Sequence, residues 1–434
     1  MSTDLPSLVQ YVFAPLVKIA LLIGGLMTAA AYFVLLERWM AAWVQDRRGP
    51  NRVGIPLTKL KMFGLGQPLA DGVKFITKEE YTPAHVDKFI YILAPISILA
   101  AALAVFAVIP FGSVLPPFAD LPLVGSIPGL DQSPVPLLVA PGVDVGMVYV
   151  FALSSIAVYG VILGGWASNN KYSFLGGLRS SAQLIAYEIP LGLGILGVVL
   201  MTGSLRLDRI IDAQASTGVW NCFLQPLGLV VFVIAAFAEA ARLPFDLPEA
   251  EQELIGGYHT EYAGLKLLLF LVAEFLHMIT AAFLIVILFL GGWHLWGVTG
   301  AGEEIITWTT AILRVVVFSA KIVGVILFFM MVRWTWPRFR FDQLMALSWK
   351  VLLPLGLVNL VVVAVMVEYG ESLEQQMGSS VYWMFAIGGW VTLVAAWVIA
   401  AIASPSHDDN SPRRAAQEFD IEAELYRMFQ NKTL

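Results

Sequence analysis

Glu239-Ala-Ala-Arg242-Leu-Pro244-Phe245-Asp246-Leu-Pro248-Glu249-Ala-Glu251-Gln-Glu253-Leu-Ile-Gly-Gly-Tyr258-His-Thr-Glu261-Tyr262 lies between two hydrophobic runs, near 225–241 and 264–290. The stretch carries six carboxylates, two prolines and one arginine. A loop that only joined two membrane helices would need none of these. Pro244 and Pro248 block a continuous helix and stiffen the backbone. Asp246, Glu249, Glu251, Glu253 and Glu261 form a dense acidic patch, and Glu239 and Arg242 stand one helical turn apart where the first run meets the loop. Such a segment reads as a shaped, charged wall at a membrane surface.

Composition agrees with a membrane setting. Of 434 residues, 58% are hydrophobic and 13% charged, which is too apolar for a soluble chain of this length. The net charge of −6 gives no support to nucleic-acid binding. A single cysteine, Cys222, excludes an internal disulfide and any all-cysteine iron–sulfur or zinc site. The N-terminus carries Asp4 and lacks a basic leader before its first apolar run, so no cleaved signal peptide is expected.

Apolar runs long enough to span a bilayer occur near 12–36, 88–110, 146–167, 182–202, 225–241, 264–290, 310–333, 349–368 and 381–403. The fold class expected is therefore all-α, a polytopic bundle of about nine transmembrane helices. Charge sets its orientation. Segment 37–88 carries nine basic residues and 111–145 none, and the connections alternate in this way along the chain. Twenty-one basic residues fall on one side, two (Arg206 and Arg209) on the other, and three (Lys18, Arg314 and Lys321) within spans. Nine spans with the N-terminus outside and the C-terminus cytoplasmic satisfy the alternation. The expected organisation is a bundle over 1–403, with cytoplasmic loops 37–88 and 242–263, followed by a polar tail, 404–434, that forms an amphipathic helix. The first loop is long for a connection and should hold its own structure, including an amphipathic surface helix near 67–80. The Pro/Gly-rich loop 111–145 reads as a lid or packing element.

Ionisable residues inside a span are costly and need partners or water. Glu37 closes the first span, Glu188 lies about two turns into the fourth, Glu239 ends the fifth, and Glu274 precedes the middle of the sixth. A graded row of carboxylates with coupled, adjustable proton affinities suits a proton path. Lys18, Arg314 and Lys321 read either as counter-ions to such a path or as snorkelling side chains. Glu274 and His277 form an E-x-x-H pair, half of a di-iron motif; no second copy exists, so a metal-free polar pair is expected. Gly192, Gly194 and Gly197 suggest close helix packing.

Three blocks carry a family resemblance. The first is Glu37-Arg38 with Gln45-Asp-Arg47-Arg-Gly49-Pro50-Asn51-Arg52-Val-Gly54, Gln67-Pro68-Leu-Ala-Asp71-Gly72-Val-Lys74 and Lys78-Glu79. The second is Gly165-Trp166-Ala-Ser-Asn-Asn-Lys171-Tyr172-Ser173, then Arg179-Ser-Ser-Ala-Gln183 and Tyr187-Glu188. The third is the 239–262 stretch with Ala273-Glu274 after it. Over about residues 10–400 the chain resembles the quinone-chamber membrane subunits of respiratory complex I, the bacterial H-type subunit and its mitochondrial counterpart.

The resemblance implies a non-redox subunit of a proton-translocating NADH:quinone oxidoreductase in a bacterial inner membrane. Its substrate would be a quinone, ubiquinone or menaquinone, and it would bind no metal, flavin or iron–sulfur cluster. Its partners would be the peripheral subunits near the last iron–sulfur cluster, the small and antiporter-like membrane subunits, and the lipid bilayer. By residue, the resemblance implies Glu37, Arg38, Asp71, Arg242, Phe245, Asp246, Glu249 and Glu251 at the quinone chamber and its loop. It implies Glu188, Glu239 and Glu274, with Glu37, on the coupling path. Two positions depart from the family pattern. Where some members carry a third-span carboxylate, Ser154-Ser155-Ile-Ala-Val-Tyr159 has no acid, and Trp39 replaces a usual basic residue.

Three other functions compete. A related subunit of a membrane-bound hydrogenase or formate-linked complex would lack the intact Arg47-x-Gly-Pro-Asn and Pro-Phe-Asp-Leu-Pro-Glu-Ala-Glu blocks. A stand-alone ion-coupled carrier would show internal pseudo-symmetry, and the sequence has no repeat. A purely structural assembly subunit leaves the buried carboxylates unexplained.

Overall fold

In hydrocarbon each backbone N–H and C=O must find a partner within the protein, so the apolar runs fold as helices. A computed structural model describes residues 12–54, 63–117, 134–247, 256–299, 307–377 and 381–403. Pro248, Glu249, Glu251, Glu253, the middle of the 111–145 loop and the 404–434 tail lie outside the described residues. The chain divides into two compact units, Met1–Trp390, which holds every site discussed below, and Val391–Leu434.

In order, the helices are α1 (Ala14–Val44), α2 (Gln67–Thr77), α3 (Lys88–Ala104), α4 (Gly146–Ala167), α5 (Lys171–Thr202), α6 (Leu207–Thr217), α7 (Pro226–Glu239), α8 (Gly264–Phe289), α9 (Trp308–Thr335), α10 (Phe341–Ala346), α11 (Leu353–Met377) and α12 (Val381–Ala403). A two-residue antiparallel pair, β1 (Val114–Leu115) with β2 (Val135–Pro136), ties the ends of the 111–145 loop. Among the described residues eight helices are long and apolar enough to cross a membrane, and α7 is a shorter apolar helix. The protein is a polytopic, all-α membrane protein.

Several boundaries differ from the sequence expectation, among them the end of α1, the start of α5 and the end of α7. Helix α1 runs 31 residues, so Glu37 and Arg38 lie inside a helix that continues beyond them. Helix α5 begins at Lys171 rather than near 182, because the Asn170 side chain caps it by accepting from the Tyr172 N–H. Helix α7 has only 14 residues, roughly 21 Å against a hydrocarbon core of about 30 Å. It stops at Glu239, and the buried chain from Ala240 to Leu247 continues as irregular backbone.

Between α10 and α11 the chain passes through a π-helical turn, Leu347–Leu352. Pro354 follows it and has no N–H to continue the normal ladder. Helix α10 and the turn are fastened to α5 by Tyr187 Oη donating to the Leu344 carbonyl (2.9 Å) and Ser348 Oγ donating to the Ala186 carbonyl (2.6 Å).

Helix α8 is the axis of the bundle. Of its most apolar eighteen residues 83% are buried, against 17–44% in the other seven long helices. Its C-terminus leaves buried carbonyls, three of which are bonded by protein. Leu290 and Gly292 N–H donate to the Val286 carbonyl, Gln214 Nε2 to Ile287 (2.8 Å), and Asn221 Nδ2 to Leu288 (2.8 Å). Lys321, from the middle of α9, directs its ammonium at the carbonyls of Leu290 (2.6 Å), Gly292 (3.0 Å) and His294 (2.7 Å). The same ammonium lies 4.2 Å from the Trp220 ring centroid. Lys321 is thus neither a snorkelling side chain nor a counter-ion to a carboxylate: it caps a helix end.

Small residues set helix spacing. A Cβ on Gly194 would sit 3.1 Å from Phe232, and one on Gly197 2.6 Å from Gln225, so both glycines are contact points; around Gly192 there is open space. Gly176 touches the Gly257 backbone, where a Cβ would lie 2.6 Å from Cα, and thereby seats the 256–262 segment against α5.

In the first loop α2 forms near where amphipathicity placed it, with Leu69, Val73 and Ile76 exposed along one side. Trp39 Nε1 donates to the Pro50 carbonyl (2.9 Å), and a Cβ on Gly49 would strike the same indole at 2.5 Å. Trp39 therefore has its own task here, clamping the Gly49–Pro50 turn. Away from the spans, burial favours the neutral acid at Asp208, but the Arg206 guanidinium 2.7 Å away outweighs it and holds the carboxyl below its usual range. Burial pushes the Cys222 thiol up to about 11, so it stays protonated and unreactive at neutral pH.

Replacing Lys321 by Met is expected to strip three buried carbonyls of their donor, at about 1–3 kcal/mol each before relaxation. Heating membranes and following the intact assembly on native gels should show an earlier loss than for wild type. An unchanged melting profile would contradict the capping role.

Candidate functional site

The short α7 creates the site. Its end at Glu239 and the backbone turn at Ala241 (φ 50°) send the chain back through the protein rather than out of it. Irregular backbone at membrane depth requires protein partners. Gln183 of α5 supplies them by donating Nε2 to the carbonyls of both Ala238 (2.8 Å) and Phe245 (2.7 Å), one on each side of the turn. The Phe339 N–H bonds the Pro244 carbonyl (3.1 Å), and Phe339 stacks on Phe245 at 5.5 Å with the rings 9° apart. Asp246, 1% exposed, pairs with Arg338 at 3.3 Å. Phe245 and Asp246 thus anchor the turn to the α9–α10 connection.

The anchored turn presents Arg242 to Glu37, 205 residues away in sequence. Arg242 Nη1 reaches the two Glu37 oxygens at 3.5 and 3.3 Å, and Arg333 Nη1 pairs with Glu37 from the other side. Glu37 is 8% exposed and Arg242 5%. The Arg242 guanidinium also lies 4.1 Å from the Phe275 ring centroid, while its Nε and Nη2 have no hydrogen-bond partner among the described residues. One buried carboxylate thus faces two guanidiniums, and the cluster has spare donors for an anionic or carbonyl oxygen. Arg38 pairs with Asp71 of α2 at 2.7 Å, fixing the surface helix to α1.

These groups border a cavity of about 500 Å³ whose walls include Glu37, Arg38, Arg47, Arg242, Glu274 and Arg333, with Leu271, Phe275 and Trp334 as apolar surface. Glu274 also lines a second, narrower cavity of about 40 Å³ with Glu188, Glu239, Ser154, Tyr258 and His277. A third, of about 20 Å³, shares Ser154, Glu239 and His277 with the second and extends to Thr280 and Phe151. The three form a series from a basic-rimmed chamber into the bundle, with Glu274 as the wall common to the first two. Two of the carboxylates are held by hydroxyls: Tyr258 Oη donates to Glu274 at 3.1 Å, and Ser155 Oγ bonds Glu188. Where the family resemblance implies an acid in the third span, α4 places Ser155, which bonds Glu188 of α5, and Ser154, which lines the inner cavity beside Glu239.

The family model described as NADH dehydrogenase matches residues 17–364. The chain belongs to the NADH dehydrogenase family. It is similar to the first of the H subunits of NADH-quinone oxidoreductase in Geobacter metallireducens, 48% identical over 347 residues, with 80% of this chain and 94% of the relative covered. It is also similar to the NADH-quinone oxidoreductase H subunit of Leptospira biflexa serovar Patoc, 46% identical over 79% of this chain and 91% of the relative. A third relative, the second such H subunit of Koribacter versatilis, is 43% identical over 83% of this chain and 99% of the relative.

Within this family member, Glu37, Arg38 and Arg242 border the large cavity, Glu188 and Glu239 the inner one, and Glu274 both. Asp71 stands behind Arg38, and Phe245 and Asp246 stand behind Arg242. Glu249 and Glu251 lie outside the described residues. Although Glu239 and Arg242 are close in sequence, the helix end between them sends one to each cavity. Sequence reasoning missed Arg333 and Arg338, which counted only as loop charges, and Tyr258, whose hydroxyl bonds a carboxylate on another segment. No local pattern marks such partners.

Substituting Glu37 by Gln leaves Arg242 and Arg333 without their shared counter-charge, and breaking a buried pair costs about 3–5 kcal/mol. Lower complex content and a lower inactivation temperature are expected in membranes, with partial recovery when Arg333→Met is added. Full stability of the single variant would show that other groups neutralise the two arginines.

Proposed function

We propose that this chain serves as the H-type membrane component of a proton-translocating NADH:quinone oxidoreductase in a bacterial inner membrane. In that role its Glu37–Arg242–Arg333 cavity receives a quinone headgroup, and the carboxylates beyond it pass on the protonic consequence of reduction. The observation that carries the proposal is the position of Glu274, which borders both the large chamber and the inner row of acids.

Quinone reduction adds two electrons and two protons to form a quinol, the electrons arriving from NADH through partner subunits. Negative charge builds on the ring oxygens before the protons arrive. Guanidiniums held in a low-dielectric site stabilise such charge strongly, and Arg242 retains donors not consumed by Glu37. Once the headgroup has taken up protons, the local potential at Glu274 changes, and its coupled neighbours Glu239 and Glu188 redistribute theirs. The chain's own contribution is therefore to bind, orient, and store or move protons at named carboxylates.

Peripheral subunits beside the last iron–sulfur cluster would complete the chamber over α2 and the 242–263 loop. Antiporter-like membrane subunits would receive the proton signal. The basic end bearing Glu37, Arg47, Arg242 and Arg333 would face the cytoplasm, as the charge alternation along the chain requires. Either ubiquinone or menaquinone suits this chemistry. The names of the relatives favour this role over that of a hydrogenase-linked subunit.

Arg242→Ala tests the assignment. With assembly verified on native gels, NADH:ferricyanide activity should persist while NADH:quinone activity falls about 10- to 100-fold, the loss of a charge-assisted contact of about 1.5–3 kcal/mol. Retention of both activities would move the quinone site elsewhere.

A further inference from the structure

His277 has no part in the scheme above, yet it occupies the inner cavity. It follows Glu274 by one turn of α8, so the two side chains share a face of the central helix. The imidazole borders the cavity formed by Glu188 from α5, Glu239 from α7, Glu274 from α8, Ser154 from α4 and Tyr258 from the 256–262 segment. It also borders the neighbouring cavity with Glu239, Ser154 and Thr280. Glu274 and Glu188 each accept a hydrogen bond from a hydroxyl. His277 makes no hydrogen bond or ion pair with any described residue, so neither ring nitrogen is committed to holding the fold.

A histidine that served packing alone would normally have its nitrogens bonded by protein. A neutral imidazole carries a donor on one nitrogen and an acceptor on the other, and so can take a proton on one side and release one from the opposite side. A cavity of about 40 Å³ has room for two or three bridging waters between that ring and the acids. A metal role lacks ligands: among the described residues no three His, Cys, Asp or Glu side chains converge on one point.

We propose that His277 is a proton-transfer station linking Glu274 to Glu239, occupying in this chain the role left open where α4 carries Ser154 and Ser155 instead of an acid. The proposal rests on the coupling function inferred above. One proton enters the ring at one nitrogen from Glu274, through cavity water, as another leaves the second nitrogen toward Glu239. A tautomer exchange or the return step resets the ring, with no net change in electrons.

The test uses the assembled complex in sealed membrane vesicles and compares His277→Asn, His277→Gln, Glu239→Gln and the double variant His277→Asn/Ser155→Glu. NADH:ferricyanide activity, NADH:quinone activity and protons translocated per electron are measured for each. Expected for His277→Asn is normal ferricyanide activity with quinone turnover and proton uptake lowered at least about tenfold. Ser155→Glu, which returns a titratable group from α4, should regain a substantial part of both; a packing defect would not be repaired by an acid on another helix. If His277→Asn pumps at the wild-type ratio and rate while Glu239→Gln does not, the station is wrong and the carboxylate path stands. If neither variant changes pumping, the coupling function itself is wrong and the station falls with it. Absence of recovery in the double variant, or failure of both His277 variants to assemble, makes His277 structural and overturns the proposal.

Discussion

Inside hydrocarbon a carbonyl or a charge has only the rest of the chain to bond to, and the whole architecture follows from meeting that demand. Two side chains show it most clearly. Lys321 gives its ammonium to three carbonyls beyond the end of α8. Gln183 gives one amide to the two carbonyls that bracket the turn after α7. The first lets the central helix end inside the protein, and the second lets a short helix end there. Without the second, no irregular segment could place Arg242 opposite Glu37.

The same constraint explains why charge and cavity coincide. Glu37 is stable among buried residues because two guanidiniums face it, and those guanidiniums are stable because Glu37 is there. Such a cluster is a poor argument for stability, since apolar residues of equal volume would often serve as well. In the proposed role, its place beside a chamber of about 500 Å³ prepares the site for charge that comes and goes. Glu274 then matters for its position on the most buried helix of the bundle, where a side chain can face two cavities without itself needing to move.

Much of this was legible in the residues. The apolar runs gave nearly all the helices, because about twenty consecutive apolar residues have one stable form in a bilayer. Amphipathicity placed α2 within a few residues, since its spacing of Leu69, Val73 and Ile76 is a local property. The blocks around Glu37, Glu188, Arg242 and Glu274 pointed to the residues that border the cavities. Helix ends were less legible: the Asn170 cap and the early stop of α7 depend on contacts rather than on hydropathy.

By itself the sequence determined that this is an all-α membrane protein, which of its acids lie within apolar runs, and which loop carries the unusual residues, because composition and periodicity are enough to settle solvent and secondary structure. Tertiary structure alone decided the partners: Arg333 with Glu37, Arg338 with Asp246, Tyr258 with Glu274, and Lys321 with a helix terminus. It also decided that Glu239 and Arg242, three residues apart, serve different cavities. The physical reason is that a charge or a carbonyl is satisfied by whatever the packed helices bring within about 3 Å, and that distance bears no relation to separation along the chain.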